Sequence, residues 1–280
     1  MIEIKNLEFH YSRKRPIYND LGVSIKEGSI CGLLGLNGAG KTTLLNVIAG
    51  FLIPQNGTCK VFGMEASERK PEMLQEVFIV SDTSDLPYIN LNTFCKTYAD
   101  FYPRFDHDFF NHCVSEFKVS TKNRLISLSL GDKRKAMLSF ALSTRCRLLL
   151  LDEPTNGLDI PSKSVLKKLI AESFNEKQTI LIATHQLRDL SNLMDRIIIE
   201  HHGRIVLNES IDCISEKLLF GVNEHLIPKE DLIYLSEGLT KYETVSVNRT
   251  KEQGQIDVEL LFAAATANPN EFKAIFTLEN

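Results

Sequence analysis

The sequence has no long, uncharged hydrophobic stretch. None of its apolar runs approaches the length of about 18 residues that a membrane-spanning helix requires. The opening segment, Met1 to Lys5, also lacks the basic and then apolar order of a signal peptide. We therefore expect a soluble, cytoplasmic chain, and any role at a membrane has to come through a partner.

An excess of basic residues is also absent. The 32 lysines and arginines are outnumbered by 36 aspartates and glutamates, and the formal net charge is −4. Such a chain has no overall positive field to attract a polyanion. We expect no direct nucleic-acid partner.

The cysteines show neither C-x-x-C pairs nor the spacing of zinc ligands, and the sequence has no internal repeat and no low-complexity segment. We expect reduced, mostly buried thiols rather than disulfides or a metal site. The six are Cys31, Cys59, Cys95, Cys113, Cys146 and Cys213.

The sequence does contain a complete phosphate-binding loop. Residues 35–43 read GLNGAGKTT and fit the pattern G-x-x-x-x-G-K-S/T. A short apolar run precedes the loop and a helical pattern follows it, so that backbone N–H groups and a helix N-terminus can face the phosphates. We expect Lys41 to reach the β- and γ-phosphates and the Thr42 hydroxyl to ligate Mg²⁺. The loop predicts binding of a nucleoside triphosphate.

Apolar runs alternate with helical patterns along most of the chain. Alternation at 2–9 and 23–25 predicts half-buried antiparallel strands before the loop. Buried strands are predicted at 77–80, 148–151, 179–183 and 196–199, and helices at 162–175 and 187–194. This order predicts a mainly parallel sheet with helices on both faces, which binds ligands at the carboxyl ends of its strands.

Chemically active side chains follow two of these predicted strands. Asp152 and Glu153 come directly after four leucines, where charges are costly unless they serve a ligand. We expect Asp152 to hold Mg²⁺ and Glu153 to orient or deprotonate the attacking water. His185 follows the next buried strand, and we expect it to contact the γ-phosphate.

Two regions lie outside this pattern. Residues 88–117 are rich in aromatics and predict a helical subdomain, in which Phe94, Tyr98, Phe101 and Phe105 recur at helical spacing. These rings form a small core, a docking surface for a partner helix, or both. From about residue 213 a tail follows, with a strand expected at 244–248, a turn at 253–254 and a helix at 257–265. We expect it to pack on the core or on a neighbouring subunit, with regulation as the other option.

Taken in order, the motifs resemble those of the ATP-binding subunits of ATP-binding cassette (ABC) transporters. The resemblance spans residues 1–212. It comprises Tyr11 as the aromatic loop, Gly35–Thr43 as Walker A, Leu128–Asp132 as the signature motif, Leu148–Glu153 as Walker B, Asn156–Asp159 as the D-loop and His185 as the switch histidine.

The resemblance implies an α/β P-loop NTPase fold of ABC type. A mainly parallel core sheet is expected to be flanked by helices, with an N-terminal antiparallel β layer. A helical subdomain is inserted at 82–145, and residues 213–280 form an accessory α+β tail. The implied nucleotide contacts are Tyr11, Gly35, Asn37, Gly38, Ala39, Gly40, Lys41, Thr42 and Thr43.

The resemblance also implies a mechanism. Two cassettes, identical or merely related, would pair head to tail, so that Ser129, Leu130 and Gly131 of one chain contact the ATP held by the other, with Asp159 at the interface. Lys41, Glu153 and His185 would be the catalytic residues of ATP hydrolysis. The closing dimer would then drive a separate transmembrane permease from the inner face of the membrane.

Two positions depart from the family pattern. Leu130 replaces a glycine of the signature motif, and Ser81 stands where a glutamine normally contacts Mg²⁺ and water. We expect Ser81 or the adjacent Asp82 to supply that oxygen ligand. The alternative function is a soluble ABC ATPase for cofactor assembly or for work on nucleic acid or ribosomes. An ATP binder without hydrolysis is disfavoured by Glu153 and His185.

Overall fold

The computed structural model describes residues 1–12, 15–81, 86–223, 232–237, 242–249 and 254–277. Its strands are Ile2–Ser12 (β1), Arg15–Ile25 (β2), Ile30–Leu34 (β3), Asn56–Val61 (β4), Met64–Glu65 (β5), Val77–Val80 (β6), Leu148–Asp152 (β7), Thr179–Thr184 (β8), Arg196–His201 (β9), Arg204–Ser210 (β10), Leu218–Asn223 (β11), Leu232–Glu237 (β12) and Tyr242–Val247 (β13). Its α-helices are Lys41–Ile48 (α1), Pro71–Leu74 (α2), Leu91–Tyr98 (α3), His107–Phe117 (α4), Leu130–Ser143 (α5), Ile160–Ser173 (α6), Leu187–Leu190 (α7), Ile211–Lys217 (α8), Val258–Ala267 (α9) and Pro269–Thr277 (α10).

The central sheet has the strand order β10-β9-β3-β8-β7-β6. All neighbouring pairs run parallel except β9 and β10, which form an antiparallel hairpin. Every residue of β7 and β8 is buried, because both faces of the sheet are covered. The carboxyl ends of β3, β8 and β7 therefore lie side by side and bring the segments after residues 34, 184 and 152 to one edge.

An antiparallel sheet of order β2-β1-β4-β5 lies at the N-terminal side. Along β1 the buried residues Ile2 and Ile4 alternate with exposed Glu3 and Lys5, which is the period that the sequence predicted. The buried face packs on α1 and on one face of the central sheet. This layer holds the start of α1, and with it the phosphate loop, against the core.

Three helices, α3 to α5, form a subdomain around an aromatic core. Phe140, from the last turn of α5, is fully buried. Its ring centroid lies 4.9 Å from that of Phe94 and 5.0 Å from that of Phe105. Tyr88 and Phe101 are exposed. The region therefore has both a core and an outward aromatic surface.

The aromatics from Phe94 to Phe105 recur at helical spacing, but they do not lie on one continuous helix. Helix α3 ends at Tyr98, and a 3-10 turn covers Ala99–Phe101. Pro103 follows, and proline disfavours helical backbone both at itself and at the residue before it. Phe105 enters the core from a loop instead.

The C-terminal elements pack on one face of the central sheet, at its β9–β10 end. Strands β11, β13 and β12 form a small antiparallel sheet, and its residues share a hydrophobic cluster with Ile197 and Ile199 of β9 and with α9. The strand expected at 244–248 is β13 and the helix expected at 257–265 is α9, whereas Gln253 of the expected turn lies outside the described residues. The domain boundary at 212 and 213 stays a prediction, and it falls within α8.

No helix in the part of the chain that the structure describes is both long and apolar enough to cross a membrane.

The aromatic core generates a stability prediction. Replacing Phe140 with Ala removes a fully buried ring, and we expect the free energy of unfolding to fall by about 3–5 kcal/mol. Phe101 is 64% exposed, and Phe101→Ala should change the free energy of unfolding by about 0.5 kcal/mol or less. Urea titration followed by tyrosine fluorescence measures both. Equal losses in the two variants would contradict the proposed core.

Candidate nucleotide site

The phosphate loop connects β3 to α1. Gly40 caps α1 with a φ of 119°, which is backbone that only glycine adopts readily. A Cβ at this position would lie 2.5 Å from the Tyr18 hydroxyl. The glycine therefore allows both the turn and the close packing of the loop on β2.

Lys41 is folded back into the loop. Its Nζ donates hydrogen bonds to the carbonyl oxygens of Gly35 (2.7 Å) and Leu36 (3.1 Å). Burial lowers the pKa of Lys41, while the charges of Glu153, Asp152 and Glu200 oppose that shift. Phosphate oxygens would be stronger, charge-assisted partners for the same ammonium group. The lysine is thus held where the phosphates of a nucleotide would enter.

Thr42 and Asp152 meet at the ends of α1 and β7. The Thr42 hydroxyl donates to Asp152 Oδ2 at 2.7 Å, across 110 residues of sequence. Asp152 is almost fully buried. A hydroxyl and a carboxylate are oxygen ligands of the kind that Mg²⁺ prefers. The donor set therefore fits a magnesium ion bound beside the phosphates.

Glu153 is fixed by the strand next to its own. Its Oε1 lies 2.7 Å from His185 Nδ1 and accepts from the His185 backbone N–H at 3.0 Å, while Oε2 accepts from the Thr184 hydroxyl at 3.1 Å. The Glu153 backbone has a φ of 45°, a left-handed conformation that costs about 1–3 kcal/mol in a non-glycine residue. Its N–H donates to the Ala183 carbonyl. The carboxylate is therefore held in one orientation at the sheet edge.

The signature motif begins α5. Ser129 Oγ accepts from the Asp132 N–H at 3.1 Å and donates to Asp132 Oδ2 at 2.9 Å. A Cβ on Gly131 would lie 2.7 Å from the Gly157 carbonyl oxygen, and Leu130 packs beside the same Gly157. The motif thus rests on the D-loop of its own chain. No hydrogen bond joins Ser129 to the phosphate loop among the described residues.

Asp159 and Tyr11 have local roles in the single chain. Asp159 caps α6 by accepting from the Ser162 N–H at 2.9 Å, and Ser162 lowers the pKa of this carboxyl. The Tyr11 hydroxyl lies 3.2 Å from Thr43 Oγ1, and its exposed ring packs edge-on against Phe9. Their roles at a dimer interface and at the adenine ring stay predictions.

Sequence reasoning missed Arg134, which faces inward from α5. It is 5% exposed and donates to the carbonyl oxygens of Ser81 (2.8 Å) and Asp152 (3.5 Å). The only sequence signal is a charge on the apolar side of a helix. Arg134 ties Ser81 to the Walker B strand. The role of Ser81 as a ligand stays a prediction, and Asp82 lies outside the described residues.

Gln186 was also missed. Its side chain donates from Nε2 to Asn156 Oδ1 at 3.0 Å and accepts from Lys163 Nζ at 3.1 Å. It follows His185 directly. The D-loop is therefore bonded to the residue next to the predicted switch histidine.

A glycine loop closed by lysine, with a hydroxyl–carboxylate pair at the adjoining strand ends, defines a P-loop nucleotide-binding domain. Comparison with known proteins refines this class. The family model described as ABC transporter matches residues 18–156. An ABC transporter ATP-binding protein of Caldanaerobacter subterraneus is 30% identical over 237 residues, which cover 80% of this chain and 98% of that protein.

Two further comparisons agree. YtrB, an ABC transporter ATP-binding protein of Bacillus subtilis, is 27% identical over 263 residues, covering 90% of this chain and 88% of YtrB. A solved ATP-binding subunit of an ABC transporter has a TM-score of 0.68 at 24% identity and covers 76% of this chain and 91% of its own. A solved dimeric cassette in a post-hydrolysis state, bound to ADP and Pi, has a TM-score of 0.65 at 19% identity. The match covers 75% of this chain and 99% of that one.

The chain therefore belongs to the ABC transporter family, as one of its ATP-binding subunits. The ABC-type fold expected from the motifs is confirmed. The activity of this class is ATP hydrolysis coupled to transport.

The contact between signature motif and D-loop can be tested at Gly131. In Gly131→Ala the added methyl would lie 2.7 Å from the Gly157 carbonyl oxygen, so one of the two loops has to move. Misplacing a catalytic group by about 1 Å can cost about 10²-fold in rate. We therefore expect ATP turnover to fall about tenfold or more. Gly22→Ala is the control, since its nearest neighbour would lie 3.7 Å away. Wild-type phosphate release by Gly131→Ala would contradict the role of this contact.

Proposed function

We propose that this chain binds MgATP through Lys41, Thr42 and Asp152 and hydrolyses it with Glu153 as the general base. The observation that carries the proposal is the fixed Glu153–His185 pair beside the Thr42–Asp152 pair. Thr42 lies at the start of α1, Asp152 and Glu153 at the end of β7, and His185 directly after β8, whose end adjoins that of β7. A base, its orienting partner and a set of metal ligands are thus contributed by one sheet edge.

Each side chain has a distinct task in this proposal. Lys41 exchanges its two carbonyl partners for β- and γ-phosphate oxygens. Bound Mg²⁺ would supply charge neutralisation at the same phosphates. Glu153 accepts a proton from the water that attacks the γ-phosphate, and His185 holds the carboxylate in place and contacts the γ-phosphate. Tyr11 stacks on the adenine.

The site is completed in trans in this proposal. Three large apolar side chains within or directly beside the motifs are exposed, namely Leu36 (57%), Leu130 (67%) and Ile160 (82%). Exposed apolar groups beside polar motifs favour an interface. Ser129, Leu130 and Gly131 of a second cassette would then contact the γ-phosphate, with Asp159 near the dimer axis. The second cassette is another copy of this chain or a related one.

A separate transmembrane permease is the partner that we propose for the dimer. The names of the relatives describe ATP-binding proteins of ABC transporters, and this favours a transporter over the alternative of a soluble ABC ATPase. Phe101 and Tyr88 give the helical subdomain an exposed aromatic surface that suits a partner helix. The cassette would sit on the cytoplasmic face of the membrane through this contact.

Glu153→Gln tests the catalytic assignment. The amide keeps the size of the side chain but cannot take up the proton, so we expect ATP turnover to fall by ~10²–10⁴-fold with ATP binding retained. Because ATP persists in this variant, light scattering after size exclusion should show an ATP-dependent dimer. Glu176→Gln is the matched control on an exposed position and should behave as wild type. Normal turnover in Glu153→Gln would sink the assignment.

Recovery of the permease tests the transporter assignment. The tagged chain is expressed with its neighbouring genes and purified from a detergent extract. We expect a polytopic membrane protein to co-purify with wild type and with Phe51→Asp, but about tenfold less with Phe101→Asp, because a charge disrupts an apolar contact. Phe51 and Phe101 are similarly exposed, at 53% and 64%. Repeated absence of any membrane protein would favour the soluble alternative.

A further inference from the structure

Glu200 is a buried carboxyl that the proposed ATP chemistry does not use. It lies near the end of β9 with 0% exposure, beside the strand that leads into the phosphate loop. Its Oε1 accepts from the Gly203 N–H at 2.7 Å. Its Oε2 lies 3.1 Å from the point that a Cβ of Gly35 would occupy. The carboxyl therefore contacts the first residue of the loop.

A second buried polar group supports the other end of the loop. The Tyr18 hydroxyl, from β2, packs under Gly40, and the side chain is 1% exposed. Within the described residues neither this hydroxyl nor Glu200 Oε2 has a hydrogen-bonding partner. Burying a polar atom without a hydrogen-bonding partner costs free energy. Apolar side chains of the same shape would avoid that cost. A buried polar group therefore lies beneath each end of the phosphate loop.

The charged groups around Glu200 come from several elements. Lys41 interacts with it electrostatically from the start of α1, and on β2 burial together with the Glu200 charge raises the pKa of the Tyr18 hydroxyl, which stays neutral. His201 and His202 follow it directly, and Arg15 lines the same cavity of about 580 Å³ between β2, the outer side of the loop and the β9–β10 turn. Burial raises the pKa of Glu200 to about 7, against the opposing Gly203 hydrogen bond and the Lys41 charge. Glu200 therefore changes between its protonated and ionised forms within the physiological pH range.

Nucleotide binding changes this balance in one direction. ATP brings several negative charges to a loop that contacts Glu200, and it draws the Lys41 ammonium toward its phosphates. Both changes disfavour the ionised carboxylate, since like charges in a buried setting repel strongly. A neutral Glu200 avoids that repulsion.

We propose that Glu200 is a positioning residue which must be neutral for the phosphate loop to bind ATP fully, so that ATP binding takes up a proton near neutral pH. This inference rests on the proposed function, because it assumes that the loop around Lys41 holds the triphosphate. Glu200 on β9 would thus set how the affinity for ATP depends on pH, although it does not contact ATP itself.

The direction of the pH dependence follows from linkage. The protonated form binds the nucleotide more tightly, so affinity is highest at low pH, where Glu200 is already neutral. It falls as pH rises past the pKa of the nucleotide-free chain, by at most about tenfold per pH unit for one proton. Replacing Glu200 with Gln keeps the group neutral at every pH and should remove this slope.

The test measures the Kd of the magnesium complex of a non-hydrolysable ATP analogue from pH 6.5 to 8.5. We expect the Kd of wild type to rise about tenfold more than that of Glu200→Gln over this range. Titration of the analogue itself is common to both proteins and cancels. Glu209→Gln, the same change on the adjoining strand β10, should follow wild type.

Calorimetry on the wild-type chain gives a second measurement that does not depend on the variant folding. Binding heats at pH 7.5 in buffers of different ionisation enthalpy report proton uptake, and we expect about half a proton. Equal pH slopes for wild type and Glu200→Gln, or no uptake by wild type, would overturn the inference while leaving ATP binding intact. A uniform loss of affinity without a change in slope would show a merely structural Glu200. No binding at any pH would overturn the proposed function itself.

Discussion

The hydrogen bond between the Thr42 hydroxyl and the Asp152 carboxylate is the contact on which the site depends. It joins the phosphate loop to the Walker B strand across 110 residues, so it exists only when β3, β8 and β7 are correctly ordered in the sheet. The sheet can bring them together because parallel strands end at a common edge. Fold and chemistry are therefore coupled at this point. An error in strand order would separate Asp152, a proposed metal ligand, from the phosphate loop.

The same edge of the sheet holds a strained residue, Glu153, and local hydrogen bonds offset the strain. Glu153 has left-handed backbone at a cost of about 1–3 kcal/mol, and its side chain accepts hydrogen bonds from Thr184 and His185. Each such bond to a carboxylate contributes about 1.5–3 kcal/mol, which offsets the strain. All of these donors belong to β8 or to the residue that follows it. Strand β8 therefore orients the Glu153 carboxylate as well as completing the sheet.

Much of this arrangement could be predicted from the sequence because its signals are local. The phosphate loop, the leucine run before Asp152 and the alternation in β1 each specify a structure within a few residues. Arg134 and Glu200 could not be found in this way, because the surroundings of a buried charge come from distant segments, such as the Ser81 carbonyl for Arg134 and Gly35 for Glu200. The helical spacing of the aromatics does not continue as one helix to Phe105, because Pro103 follows α3 and its 3-10 turn. Side-chain spacing alone does not register a backbone constraint of this kind.

Under the proposal that Ser129 binds a phosphate in trans, a single cassette would be an incomplete enzyme. The Ser129 hydroxyl is engaged twice with Asp132, as acceptor and as donor, and these bonds cap α5. To bind a phosphate, the hydroxyl has to release the Asp132 carboxylate, which costs about 1 kcal/mol for an exposed bond. A charge-assisted bond to phosphate is roughly twice as strong as a neutral one, so the exchange is favourable once a triphosphate is presented. These bonds cap α5 in the nucleotide-free chain, and in the proposed dimer their exchange for a phosphate would be only a small local barrier to closure.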